Sequence, residues 1–178
     1  MRIDSPPDSG CPGFILRPIS REDLEPWYAY LALPEVFQHT SWNLSSQNDL
    51  LPLFDFFEST AVNSARRMAL IDEKRQVLAG TIGFHTVSDV NRSAEIAYDL
   101  SPSYWGRGMA TTICDVVTSW AFEHYGFNRV QGTVLETNSR SEAVLRRCSF
   151  SFEGLLRDYR SVRGAPGNFK MYARLKAD

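Results

Sequence analysis

Residues Met109 to His124 carry Ile113, Val116, Val117, Trp120 and Ala121 at i, i+3, i+4, i+7 spacing, and Gly126 follows as a C-terminal stop. This helix opens directly after Tyr104-Trp105-Gly106-Arg107-Gly108, and a strand-like run, Glu95–Leu100, lies just ahead. A strand, a turn built on two glycines and a long helix confine the chain to folds in which a sheet feeds a helix that packs back on it. Such a turn is also where anions bind. Small residues let the backbone come close, and the helix start offers free N–H groups and the positive end of its dipole. It is not a Walker A loop, because no Gly-Lys-Ser or Gly-Lys-Thr follows. It is not a dinucleotide fingerprint either, because Gly106-x-Gly108 leads to Thr111 rather than a third glycine. On these residues alone, an anion cradle and a plain tight turn are equally open.

Elsewhere the period changes. Phe14–Ile19 reads as a short strand ending near Pro18. Ser20 with Asp23 resembles a helix cap, followed by Leu24, Trp27, Tyr28 and Leu31 at helical spacing, with Pro26 expected to kink that helix. A second helix is expected over about Asn48–Phe57, with Leu50, Leu51, Phe54 and Phe57 on one face. Met68–Ile71, Val77–Val87, Glu95–Leu100 and Arg129–Leu135 read as strands, the first two joined by the polar loop Asp72–Gln76. Ser139-Arg140-Ser141-Glu142 has the form of a capping box opening a helix through Arg147. Strands near Phe152–Tyr159 and Asn168–Leu175, around a turn at Gly164–Gly167, close the chain. The sum is an α/β fold of antiparallel strands followed by strand–helix–strand–helix–strand. It forms one domain over residues 14–178, with Met1–Gly13 as a flexible polar arm.

At 178 residues the chain can bury a core without a disulfide or metal staple. Nineteen Lys and Arg against 21 Asp and Glu leave a net charge of −2, which argues against nucleic acid or an anionic membrane as partner. Cys11, Cys114 and Cys148 form no Cys-x-x-Cys, and His39, His85 and His124 lack ligand spacing, so no metal is expected. Reduced thiols point to the cytoplasm. No apolar run approaches the length of a membrane span.

Three further segments carry a resemblance. They are Glu95-Ile96-Ala97-Tyr98-Asp99-Leu100-Ser101-Pro102 ahead of the glycine turn, Phe127-Asn128-Arg129-Val130 after the long helix, and Asn138-x-x-Ser141-x-x-Val144-Leu145 beyond it. In order and spacing they resemble the GNAT superfamily of acetyl-CoA-dependent N-acetyltransferases. Leu16-Arg17-Pro18 with Arg21-Glu22-Asp23-Leu24, Tyr104-Trp105-Gly106-x-Gly108-x-Ala110 and Glu153-Gly154-x-Leu156-Arg157 are similar to its RimJ/RimL-type branch, named for ribosomal-protein N-terminal acetylation. The resemblance covers Phe14 to Leu175. It departs at Trp105, where Gln or Arg usually opens the phosphate loop, at Ser149-Phe150 in place of Gly-Phe, and at Asn168, where an Asp often begins the last strand.

The resemblance implies a mixed, mostly antiparallel sheet of about six to seven strands flanked by about four helices. It implies transfer of an acetyl group from acetyl-CoA to a primary amine by direct attack in a ternary complex. The acceptor would be a peptide or protein N-terminus or a small-molecule amine, and a homodimer is compatible. Tyr98, Asp99 and Leu100 on a splayed strand would meet the cofactor, with Trp105, Gly106, Arg107, Gly108, Met109, Ala110 and Thr111 at its phosphates and Asn138 at its pantetheine arm. Arg146, clustered with Arg140 and Arg147, would meet the adenosine 3′-phosphate. Ser141 would donate to the departing thiolate, and Glu95 would hold a water that takes the amine proton. His39 and Trp42 would face the acceptor. On the residues alone, Asn138 and Ser141 also suit a helix start and Glu95 also suits a surface strand. A non-catalytic acyl-CoA-binding module is the competing class.

Overall fold

In the run Arg129–Leu135, Val130, Gly132 and Val134 are buried and their neighbours are half-exposed, the period-2 signature of a strand packed on one face. In the computed structural model, which describes residues 5–178, this run is one of seven strands. They are β1 (Phe14–Pro18), β2 (Arg66–Asp72), β3 (Val77–Ser88), β4 (Ser93–Leu100), β5 (Arg129–Leu135), β6 (Ser151–Val162) and β7 (Ala165–Leu175), in the order β1-β2-β3-β4-β5-β7-β6. Every neighbouring pair is antiparallel except β4 and β5. Five helices flank the sheet: α1 (Leu24–Leu31), α2 (Pro34–Phe37), α3 (Leu51–Glu58), α4 (Met109–His124) and α5 (Ser139–Arg147).

The two faces of the sheet bury separate cores. On one, Ile82, Phe84, Ile96, Val130 and Val134 pack with Ile113 and Val117 of α4 and Leu145 of α5. On the other, Ala69, Ile71 and Leu78 pack with Trp27 and Leu31 of α1, Leu50, and Phe54 of α3. The parallel pairing is short: Ser93, Ala94 and Glu95 pair with Arg129, Val130 and Gln131, and beyond that point β4 and β5 diverge. The register of β3 against β4 shifts between Phe84 and Thr86, so His85 is the extra residue of a β-bulge beside that divergence.

Several local expectations are refined by the chain's own chemistry. Pro26 occupies the third position of α1, where the N–H has no intrahelical acceptor, so it costs the helix no hydrogen bond. The expected second helix is a 3-10 turn over Gln47–Leu50 followed by α3, with Pro52 in its first turn. The cap of α5 is Asn138 rather than Ser139, and its side chain accepts the Ser141 N–H at 3.0 Å. The β6–β7 turn is the pair Arg163-Gly164, both at positive φ (51° and 80°), the type I′ geometry that suits strand twist. Met1–Asp4 of the expected arm lie outside the described residues. Its remainder is tied down near its end, where Ser9 donates to the Phe14 carbonyl at 2.6 Å and Gly10 lies against Thr112 and Val116 of α4.

Ser149, which replaces the familiar glycine, sits at φ 62° just past α5. The Phe150 N–H bonds the Leu145 carbonyl at 3.0 Å and the Ser149 N–H bonds that of Arg146 at 3.2 Å, so the helix ends in a Schellman motif with an L-residue in the left-handed position. Ser149→Gly should therefore raise stability by about 0.5–1 kcal/mol, read as a higher urea midpoint. A lower midpoint would show that the serine is not strained.

Candidate active site

The wedge between β4 and β5 is held open from behind. Successive residues of β4 alternate faces, so Glu95, Ala97 and Asp99 look toward α1–α3 and Tyr98 looks toward α5. The Asp99 carboxylate accepts from Thr81 Oγ1 at 2.9 Å, Trp27 Nε1 at 3.2 Å, the Tyr30 hydroxyl and the Arg67 guanidinium. Arg67 also donates to Thr81 Oγ1 and to the Ala97 carbonyl, each at 2.8 Å. Burial and the neighbouring Asp99 charge push the Tyr30 phenol well above its usual pKa, so it stays a neutral donor. The network ties the diverging half of β4 to β2, β3 and α1. The strand's far end is pinned by the Trp105 indole, which donates to the Leu100 carbonyl at 2.8 Å.

A groove of about 670 Å³ runs along the α4–α5 side of this wedge. Its wall holds Tyr98, Asp99, Leu100, Asn138 and every residue of the loop from Trp105 to Thr111. Gly106 and Gly108 stand at φ 74° and 77°, and a Cβ on either would enter open space. Their conformation is one L-residues avoid, and it leaves the groove floor to backbone. Gly108 caps the sixteen-residue α4. Thr111 and Thr112 donate back to its carbonyl at 3.0 and 3.1 Å, while the amides that begin the helix have no intrahelical acceptor. This cradle fits a pyrophosphate. Arg107, Arg140 and Arg147 also line the groove, and Arg140 stacks over Trp105 at 4.9 Å. Arg146 does not line it. One turn after Glu142, it binds that carboxylate at 3.0 Å and lies over the Tyr172 ring, so the basic face of α5 is Arg140 and Arg147, seven residues apart.

On the opposite side lies a chamber of about 980 Å³, whose wall includes His39, Trp42, Arg67, His85, Thr133 and Arg160. Trp42 packs edge-on against Trp27 with centroids 6.2 Å apart. The roof of the chamber is strapped from two directions. Asn138 Nδ2 donates to the His39 carbonyl at 3.0 Å. Arg163, at the β6–β7 turn, donates to the carbonyls of Phe37 and Thr40 at 3.2 and 3.0 Å, and its N–H bonds Asn43 Oδ1 at 2.9 Å. Asn138 thus caps α5 and anchors the roof with a single amide. The groove and the chamber share His39, Thr40, Tyr98, Asp99, Asn138 and Ser141. At that junction Ser141 Oγ lies 2.9 Å from the Tyr98 hydroxyl. Burial raises the Tyr98 phenol well above its usual pKa, so it is protonated across the physiological range.

Glu95 lines neither cavity. It is buried, with its Oε1 accepting from Thr133 Oγ1, from Arg160 at 3.0 Å and facing His85 Nε2 at 3.3 Å. Desolvation alone would raise its pKa, but these donors outweigh it and hold the pKa at about 2. The carboxylate expected to hold a water therefore stands ionised behind the chamber wall, with its Oε1 occupied by side chains. Asn168, where an Asp often begins the last strand, accepts the Asp158 N–H at 3.0 Å and steadies an irregularity in β6. Sequence reasoning did not find Arg67, Arg160 or the phenol of Tyr98. Strand alternation offered a signal for the last, since it sets Tyr98 on the face opposite Asp99. Among the described residues, no group of His, Cys, Asp and Glu is placed to hold a metal, and no helix is long and apolar enough to cross a membrane.

This arrangement has relatives. The N-acetyltransferase YoaA of Bacillus subtilis strain 168, described as uncharacterized, is 30% identical over 173 residues, spanning 91% of this chain and 93% of that one. Among solved structures, ribosomal-protein-S5-alanine acetyltransferase from Vibrio fischeri superposes with a TM-score of 0.80 at 17% identity, over 94% of this chain and 96% of that one. Spermidine N-acetyltransferase from Vibrio cholerae, solved with CoA and spermine, gives a TM-score of 0.80 at 20% identity, over 93% and 96%. The model of the acetyltransferase (GNAT) domain matches residues 14–151, the stretch that holds the wedge, the glycine loop and α5. By that match and by its kinship with YoaA, the chain belongs to the GNAT acetyltransferase family.

Proposed function

We propose that this acetyl-CoA-dependent acyltransferase moves an acetyl group to a primary amine by direct attack within a ternary complex. The observation that carries the reading is the junction: a groove floored by the glycine loop and a separate chamber meet at Tyr98, Asn138 and Ser141. The amides at the start of α4 and the guanidinium groups of Arg107, Arg140 and Arg147 would hold the cofactor phosphates. The free edge of β4 beyond Glu95 would pair with the pantetheine arm. Its N–H groups, aimed across the wedge, would stabilise the oxyanion as the amine attacks, an effect worth about 3 kcal/mol of barrier. Ser141 would pass a proton to the leaving sulfur and draw on the Tyr98 hydroxyl behind it. An α-amine, with a pKa of about 7.7–8.0, is partly neutral near pH 7 and surrenders its proton to water after attack.

The test is thiol release from acetyl-CoA in the presence of amines, with the native chain and with Ser141→Ala. The variant should lose about 10- to 100-fold in kcat with little change in KM for acetyl-CoA, because a thiolate is already a fair leaving group. An unchanged kcat would retire Ser141 as proton donor. Acetyl-CoA binding without thiol release for any amine would make the protein a non-catalytic acyl-CoA-binding module.

A further inference from the structure

The charges around the chamber narrow the choice of amine, an inference that rests on the transfer reading above. Trp27, Trp42, Phe56, Phe57 and Phe169 give the chamber an aromatic lining. Among the described residues the one acid on its wall is Asp99, and both of its oxygens are committed to Arg67, Tyr30, Trp27 and Thr81. Glu95 lies behind the wall, where its Oε1 takes Arg160, Thr133 and His85. Arg160 itself is less fully used. Its Nη2 meets Glu95 and His85, the guanidinium lies over Tyr159 and Phe169 at 4.9 and 5.5 Å, and among the described residues Nη1 and Nε have no hydrogen-bond partner. A second ammonium entering here finds no free carboxylate on the wall and meets a guanidinium. An aromatic or aliphatic group finds rings to pack on, and a carbonyl or carboxylate oxygen finds spare donors.

We propose that the acceptor is a primary monoamine carrying an apolar group of aromatic size and no second cation, and that Arg160 is the residue that turns polyamines away. Specificity of this kind needs a repulsive element as well as an attractive one, and Arg160 supplies it. This chemistry occurs in arylalkylamines and in peptides with an apolar first residue, which the assay separates.

The experiment measures kcat/KM by thiol release for phenethylamine, the peptide Phe-Ala-Ala and spermidine, with the native chain, Arg160→Met and Arg160→Lys. One of the two aromatic monoamines, whichever source the enzyme serves, should exceed spermidine by at least about 10-fold. Arg160→Met removes the cation and leaves the Glu95 charge with Thr133 and His85 alone, so the ratio should shrink about 10-fold, mainly through a lower KM for spermidine. Arg160→Lys keeps the charge and should restore discrimination. Spermidine equal to or better than both monoamines in the native chain overturns the proposal, and a ratio unmoved by Arg160→Met removes Arg160 from it. Thiol release with none of the amines, while acetyl-CoA still binds, overturns the transfer reading itself.

Discussion

Asp99→Ala is expected to lower the unfolding free energy by about 3–5 kcal/mol, the range for removing one partner of a buried ion pair. The cost comes from what is left behind. The Arg67 side chain is 6% exposed, so its guanidinium cannot turn to water when the carboxylate goes. The Tyr30 hydroxyl and the Trp27 indole lose their acceptor in the same step. A double variant, Asp99→Ala with Arg67→Met, should recover part of the loss, because removing both charges leaves no uncompensated ion. Urea unfolding of the native chain and both variants measures this. A change below about 1 kcal/mol in the single variant would mean that the pair is solvated in practice. Since Arg67 also holds the Ala97 carbonyl, whatever folded Asp99→Ala remains should bind acetyl-CoA more weakly.

Gly108→Glu should weaken acetyl-CoA binding at least about 100-fold while the fold persists. A carboxylate there would oppose the phosphate charge at the start of α4, where one charged contact is worth several kcal/mol once shielded from water. The fold survives because a Cβ at this position meets no heavy atom within 4 Å. Backbone strain also enters, since an L-residue at φ 77° costs about 1–2 kcal/mol. Gly108→Ala separates the two effects, because it carries the strain without the charge. Calorimetric titration with circular dichroism is the measurement. Native-like affinity in a folded Gly108→Glu chain would leave the loop as a mere turn.

The segments legible in the sequence are those whose signal is local. Helix α4 and strand β5 have the ends read from their periodicity, because Gly108 and Gly126 bracket one and alternation marks the other. The glycine loop was legible for the same reason. Arg146 lies off the groove because a basic cluster in sequence need not be one on a helix: Arg140 and Arg147 share a face that the helical turn denies to Arg146, which pairs with Glu142 one turn back. The character of Glu95 was hidden for a longer-range reason. Its pKa is set by Thr133, Arg160 and His85, and Arg160 is 65 residues away. The Arg67–Asp99 pair, 32 residues apart, depends on the register of three strands, and no local pattern states that register.

The strap formed by Arg163 has a consequence for the order in which the molecule can assemble. The backbone and guanidinium of this one residue reach Asn43, Thr40 and Phe37 across 120 to 126 positions. Contacts of this sequence separation carry a loop-closure cost that must be met before they reward the chain, so they form after the local ones. During synthesis from the N-terminus, the segment between α2 and α3 is therefore made early and waits without its anchor until the last hairpin has emerged. The chamber roof is then the last part of the molecule to take shape, since a chain that stops short of residue 163 lacks both this strap and β7, the strand that joins β6 to β5.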